Sequence, residues 1–238
     1  MNMSHELRTP MNAILGYADL VREDAAESGY EDILPDLEKI QMASQQLLEI
    51  ISNILDISKI EADKMGLNLV QLDVDKLVQD VVTVIEPLLG DNELLVNCAG
   101  GMGHIFADQI KLRQILMNLL SNAAKFTQQG SITFTITRQH ADPAQGNHNN
   151  DWLMFEIADT GIGMPQEHLQ HIFEAFYQLD SSTTRQYGGT GLGLTISERF
   201  ARMMGGRITV TSEVGRGSTF VVYLPAYVAE NAAIGHKK

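Results

Sequence analysis

One cysteine, one tryptophan and a shortage of positive charge set the first limits on this 238-residue chain. The lone Cys98 excludes an internal disulfide and fits a reducing compartment, with the thiol read as a small apolar strand residue. Lys and Arg number 17 against 30 Asp and Glu, a net charge of −13. A chain this acidic is a poor candidate for electrostatic capture of nucleic acid or of an anionic membrane. Any phosphate-bearing ligand would need local help from a cation or from backbone amides. No uncharged apolar run approaches the roughly 18 residues that a membrane-spanning helix needs, and the start lacks a signal-peptide pattern. The expected location is therefore the cytoplasm. What is abundant is apolar: 44% of residues are hydrophobic, enough for a sizeable core in one or two domains.

Residues 2–62 contain no strand-like stretch. Leu7, Met11, Ile14, Ala18, Val21 and Ala25 recur at alternating steps of four and three, as do Leu37, Ile40, Ser44, Leu47, Ile51, Ile54 and Ser58. This is the seam spacing of a coiled coil or helical bundle. Leu34, Leu48 and Leu55 widen the second stripe. Gly29 lies in the short break, so the helices should fold back antiparallel, the second about 45 Å long. Two helices alone cannot bury both stripes; a homodimeric four-helix bundle is the simplest supply of partners, and packing against the rest of the chain is the alternative.

From about residue 68 the texture changes. "LNLVQLDV", "ELLVNC", "HIFAD", "SITFTITR", "WLMFEIAD", "RITVTS" and "STFVVYLP" read as strands. "DKLVQDVVTVIEPLL", "QIKLRQILMNLLSNAAKF" and "GLTISERFARMM" read as helices. The irregular mixture predicts an α+β fold, a sheet covered by helices on one face. Expected boundaries are 1–65 for the hairpin, 66–227 for the mixed domain and 228–238 for a tail. "HADPAQGNHNN" is a solvated loop whose histidines lack the spacing of a metal site.

Chemistry gathers at four places. In "SHELRTP", His5 lies about 200° around the helix from Leu7 and faces away from the apolar stripe. Pro10 removes the hydrogen bond to the Glu6 carbonyl, so a bend is expected at the turn bearing the histidine. Glu6 can accept an imidazole proton, leaving a nucleophilic nitrogen, and Thr9 sits one turn along on the face of His5. In the helix from residue 109, Gln114, Asn118, Asn122 and Lys125 form a polar stripe roughly 120° from the stripe of Leu112, Leu116, Leu119 and Ala123. Amides followed by a lysine suit an oxygen-liganded cation and a phosphate. In "WLMFEIADTGIGMP", Asp159 shares the parity of Leu153, Phe155 and Ile157, so its carboxylate is aimed at the core side and needs a donor such as the amino group of an adenine. Gly161 and Gly163 allow close backbone approach. Finally, Gly188, Gly189, Gly191 and Gly193 run into a helix whose N-terminal amides suit phosphates, and residues 179–190 read as a mobile lid.

"SHELRTP", "NLLSNAAKFT", "DTGIGM", "FEAFYQ" and "GGTGLGL" occur in that order, and together they resemble the sensor histidine kinases of two-component signalling. The resemblance spans residues 1 to about 225. It implies a dimerising, histidine-phosphotransfer hairpin followed by an α/β-sandwich ATP-binding domain, of the type shared with gyrase, mismatch-repair ATPases and a heat-shock chaperone. It implies His5 as phospho-acceptor, Glu6 as general base and Thr9 as a phosphatase residue. Asn122 is similar to the Mg²⁺ ligand, with Asn118 beside it in the same box; Asp159 resembles the reader of the adenine amine and Thr219 a supporting adenine contact. Lys125 and Arg185 would face phosphates. The implied partners are ATP, Mg²⁺, a second copy of the chain and the receiver domain of a response regulator.

Two other readings stand beside this one. An ATPase of the same superfamily would need a water-activating glutamate where Asn118 stands, and an amide is a poor base. A dimeric scaffold with a decayed site would be expected to lack Asp159, Asn122 or the glycines, and all are present. With four residues before His5, the sequence reads as the core of a larger receptor.

Overall fold

The computed structural model describes residues 3–30, 33–62, 64–98, 100–139, 151–178 and 190–228, with side chains from Met11 onward except those of residues 24, 26 and 27. The chain forms two compact units, Met1–Ala62 and Asp63–Lys238.

The first unit is a helical hairpin of α1 (Met3–Ser28) and α2 (Leu34–Glu61). Helix α1 passes through Pro10 as one continuous helical element. It ends where Gly29 takes φ +78°, a left-handed value that favours glycine, while the Tyr30 amide closes on the Ala25 carbonyl at 2.9 Å. Only half of the seam is buried. Met11, Ala18, Ala25, Leu37 and Ser44 are inside, whereas Ile14, Val21, Ile40, Leu47 and Ile54 stay 41–46% exposed. Gln41 donates to the Asp19 carboxylate across the hairpin at 2.6 Å.

The second unit is α+β. Strands β2 (Glu93–Cys98), β4 (Ser131–Gln139), β5 (Trp152–Asp159), β6 (Arg207–Glu213) and β7 (Gly217–Pro225) form a sheet in the order β2-β4-β5-β7-β6. The β2–β4 pair is parallel and the others antiparallel. Strands β1 (Leu69–Asp73) and β3 (His104–Asp108) pair separately. Burial falls on one parity: Ile132, Phe134 and Ile136; Leu153, Phe155 and Ile157; Phe220, Val222 and Leu224. That face is covered by helices α3 (Val74–Ile85), α4 (Gln109–Phe126) and α5 (Gly193–Met203). The expected stripe of α4 is buried, and Ile115 and Leu120 join it because α3 and α5 flank the helix. Gln114, Asn118, Asn122 and Lys125 remain half-buried along its rim.

The N-terminus of α4 is capped by Asp108, which accepts from the Lys111 amide at 3.1 Å. Its C-terminus is clipped by Asn92, whose Nδ2 donates to the carbonyls of Leu89, Ala124 and Thr127 and whose Oδ1 accepts from the Gly130 amide. Among the described residues no helix is long and apolar enough to cross a membrane.

Removing the Asn92 amide strands several carbonyls at a half-buried helix end. Asn92→Ala should therefore destabilise the second unit by about 2–3 kcal/mol. Asn92→Asp, which keeps only the acceptor, should do at least as badly. Denaturant unfolding followed at Trp152, which lies in β5, measures both; wild-type midpoints would refute the clip.

Candidate active site

Asp159 ends β5 on the buried parity of the strand, where the chain leaves the sheet toward α4. Its Oδ1 accepts from the Gly161 amide at 2.8 Å and from the Ser218 amide at 3.3 Å. No donor from the described residues reaches Oδ2. Burial pushes the carboxyl above the ordinary carboxylate range, against the downward pull of those two amides. The result is a half-buried carboxylate with one oxygen fixed and the other seeking an N–H.

The loop that follows is held against α4. The Ile162 amide donates to the Phe126 carbonyl at 3.2 Å, and a Cβ on Gly161 would strike that same carbonyl. Gly163 has φ +64° and lies against the Glu213 and Gly217 carbonyls, with no room for a side chain. These contacts bring Asp159 to the end of α4 that bears Asn122 and Lys125. Asn122 is half-buried, and its carboxamide has no hydrogen-bond partner among the described residues. Lys125 lies with its ammonium 4.9 Å from the centre of the Phe126 ring, and burial lowers its pKa. A partly desolvated ammonium beside an open carboxamide is a donor set suited to phosphate and a hard cation.

Asn118 is placed differently. Its Nδ2 donates to Ser197 Oγ on α5 at 2.9 Å, and a Cβ on Gly193 would collide with its Oδ1. Asn118 therefore locks α4 to the start of α5, whereas Asn122 one turn on is unpartnered among the described residues. Gly191, φ +69°, packs against the Phe176 and Tyr177 backbone, and the Phe176 amide donates to its carbonyl at 3.0 Å. The "FEAFYQ" segment is thus tied to the glycine run. Gly188, Gly189, Arg185 and nearly all of the expected lid lie outside the described residues, as does the tail from residue 229. His5, Glu6 and Thr9 fall on the first turns of α1, and their side chains too lie outside the described set.

Thr219 needs correction. It pairs with Ala158 in the β5–β7 register and shares the outward parity of Val221 and Tyr223. The residue of β7 that meets Asp159 is Ser218, buried on the core parity of Phe220 and Val222. Strict alternation read backward from Phe220 would have found it. Ser212 and Ser197, both buried, carried no signal of their own in the sequence.

Comparison with known proteins identifies the family. Residues 107–228 match the "Histidine kinase-, DNA gyrase B-, and HSP90-like ATPase" family, and residues 1–63 match the "His Kinase A (phospho-acceptor) domain". The chain belongs to this ATPase family and, carrying both modules, is the catalytic core type of the two-component sensor histidine kinases. Among its relatives are the autoinducer 2 sensor kinase/phosphatase LuxQ of Vibrio parahaemolyticus, 40% identical over 94% of this chain, and the sensor histidine kinase GacS of Pseudomonas protegens, 41% identical over 94%. The chain spans about a quarter of their length, 26% and 24% respectively. Among solved structures, full-length ShkA in complex with AMPPNP superposes with a TM-score of 0.75 at 31% identity, covering 94% of this chain and 44% of that one. The Acinetobacter baumannii histidine kinase AdeS shares the fold at a TM-score of 0.59 and 20% identity, covering 93% and 98%.

The raised carboxyl of Asp159 fixes the sign of a pH effect. The folded state holds the proton more tightly than the unfolded chain, so this group's contribution to stability falls as pH rises from the ordinary value, about 3.9, through the raised one. Asp159→Asn is neutral throughout and keeps a carbonyl oxygen for the Gly161 and Ser218 amides. Without ligand it should melt at or above wild type at pH 7, with the advantage gone below about pH 4. Thermal scans against pH test this, and a variant less stable than wild type at pH 7 would contradict it.

Proposed function

We propose that this chain is an ATP-dependent protein-histidine kinase core that phosphorylates His5 and passes the phosphoryl group to an aspartate of a response-regulator receiver domain. The observation that carries the reading is the pairing, in one chain, of a phospho-acceptor hairpin bearing His5 with the half-buried Asp159 and its open oxygen. The carboxylate accepts from the adenine amine, Ser218 stands beside it in place of Thr219, and Gly161 and Gly163 admit the flat base. Lys125, and the amides at the start of α5, face the phosphates. The open carboxamide of Asn122 fits Mg²⁺ through its oxygen; the ion would neutralise charge on the transferring phosphoryl group. AMPPNP in the ShkA complex supports ATP as the nucleotide.

In the forward reaction an imidazole nitrogen of His5 attacks the γ-phosphorus. The N–P bond forms, the bond to the β-bridging oxygen breaks with release of ADP, and the imidazole proton passes to Glu6. Hydrolysis by direct attack of water is disfavoured because Asn118, an amide, is committed to Ser197 and offers no base. The exposed half-seam of Ile14, Val21, Ile40, Leu47 and Ile54 supports a homodimer through a four-helix bundle.

Incubation with γ-labelled ATP and Mg²⁺ should give an acid-labile, base-stable phosphoryl group that His5→Gln abolishes while ATP binding persists. Label surviving on His5→Gln would sink the assignment. Glu6→Ala should slow labelling about 10²–10⁴-fold, whereas Thr9→Ala should keep it within a few-fold and lose phosphatase activity toward the phosphorylated receiver. Equal damage to labelling from both would make Thr9 structural. Replacing Leu47 with Asp should shift the protein to monomer in sedimentation experiments; an unchanged dimer would place the interface elsewhere.

A further inference from the structure

The hydrogen bonds around Ser212 form a closed proton inventory. Ser212 lies on β6, is 8% exposed, and pairs with Ser218 in the β6–β7 register. Its Oγ meets the Met164 amide at 2.8 Å, the Gly217 carbonyl at 2.9 Å and Ser218 Oγ at 2.9 Å. A serine hydroxyl has one proton and two acceptor sites. The Met164 amide can only donate, so it occupies one acceptor site. The Gly217 carbonyl can only accept, so the Ser212 proton points there; without it, two oxygens would face each other lone pair to lone pair. The remaining contact, to Ser218 Oγ, must then be donated by Ser218. A second bond, from Gln166 Nε2 to the Ser212 carbonyl at 2.7 Å, fixes the strand at this point.

We infer that Ser212 is a specificity-positioning residue: by taking the Ser218 proton it holds the Ser218 hydroxyl as an acceptor toward the base site beside Asp159. The inference rests on the adenine reading of that site. Ser218 is anchored there by its own amide, which donates to Asp159 Oδ1 at 3.3 Å. With its proton turned away, Ser218 adds acceptor lone pairs to those of the Asp159 carboxylate. A purine bearing an exocyclic amine offers N–H groups to that pair. A purine with a carbonyl at the same position loses those N–H groups and sets a third acceptor against the pair, keeping as a donor on that edge only its ring N1–H. Gly163 makes the arrangement possible: its backbone approaches the Glu213 and Gly217 carbonyls closely enough to deliver the Met164 amide to Ser212.

Ser212→Ala releases the Ser218 proton, which can then donate to a carbonyl. Calorimetric Kd values for ADP and for inosine diphosphate, both with Mg²⁺, read the effect as a ratio. The ratio favouring ADP should fall about tenfold in Ser212→Ala, the worth of one hydrogen bond, and Ser212→Thr, which keeps a hydroxyl, should restore it. In a Ser218→Ala background the same change at Ser212 should leave the ratio unmoved. A purely structural role would weaken both nucleotides alike; an unchanged ratio in Ser212→Ala therefore overturns the inference while leaving the adenine site standing. Should wild type bind neither nucleotide, or bind both equally, the adenine reading itself fails. If Ser212→Ala does not fold, wild type still decides. 6-Methoxypurine riboside diphosphate, whose oxygen only accepts and whose N1 carries no proton, should bind more weakly than purine riboside diphosphate, which has no group at that position, and tighter binding would reveal a donor and refute the proposal.

Discussion

The second unit is organised around one uncomfortable charge, the Asp159 carboxylate. Placed at the end of a strand whose alternate residues are fully buried, it is partly stripped of water, and among the described residues two backbone amides on one oxygen offset the loss. A carboxylate in that position is destabilising unless neighbours over-determine it. The surroundings do so through backbone rather than side chains. Gly161 packs on the Phe126 carbonyl, and Gly163 and Gly217 take left-handed φ values where chain segments touch. Glycine is required at these points because the contacts are backbone to backbone, and a Cβ at any of them would push the loop off α4 or off β7. The glycines thus serve the carboxylate first and leave room for a ligand as a consequence.

Helix α4 distributes its functions by position along its length. Its Leu and Ile face supplies much of the core, so the helix cannot shift without repacking the sheet. On the rim, Asn118 is committed to Ser197 and the start of α5, one turn before the open Asn122. A sequence pattern of two amides four residues apart gives no hint of this division. The first joins two helices; the second has no hydrogen-bond partner among the described residues. Because Gly193 packs directly on Asn118, any movement of the glycine run at the head of α5 is felt by the polar stripe, and Gly191 passes the same constraint to Phe176 and Tyr177.

The elements of this fold were legible because period and punctuation agreed. The strands expected at "ELLVNC", "HIFAD" and "WLMFEIAD", and the helix at "QIKLRQILMNLLSNAAKF", occur with those bounds. Asp159 was legible from parity alone, since a carboxylate in register with Leu153, Phe155 and Ile157 has no apolar excuse. Other features were not. The separate pairing of β1 with β3 depends on contacts far apart in sequence, which no local period encodes. The motif resemblance points to Thr219, whereas strand alternation assigns Ser218 to the core side. Ser212 and Ser197 stayed invisible because an isolated serine in a strand or helix reads as filler until its partners are known.

The hairpin shows the same economy in a different form. Of the two interleaved rows in its seam, the buried one is built mostly from small residues, with Ala18, Ala25 and Ser44 among them. The exposed row is Ile14, Val21, Ile40, Leu47 and Ile54, all large and mostly β-branched. Small residues let α1 and α2 approach closely but contribute little apolar area to holding them together. The bulk of the apolar surface faces outward, where it contributes nothing until another surface covers it. Single exposed apolar side chains need no explanation, but a row at seam spacing along both helices is a surface waiting for its complement. In the proposed dimer the larger side chains would do most of the holding and the smaller ones would set the helix spacing. Association and hairpin stability would then be one property, because the apolar row that holds the dimer lies on the same two helices as the small-residue row that spaces them.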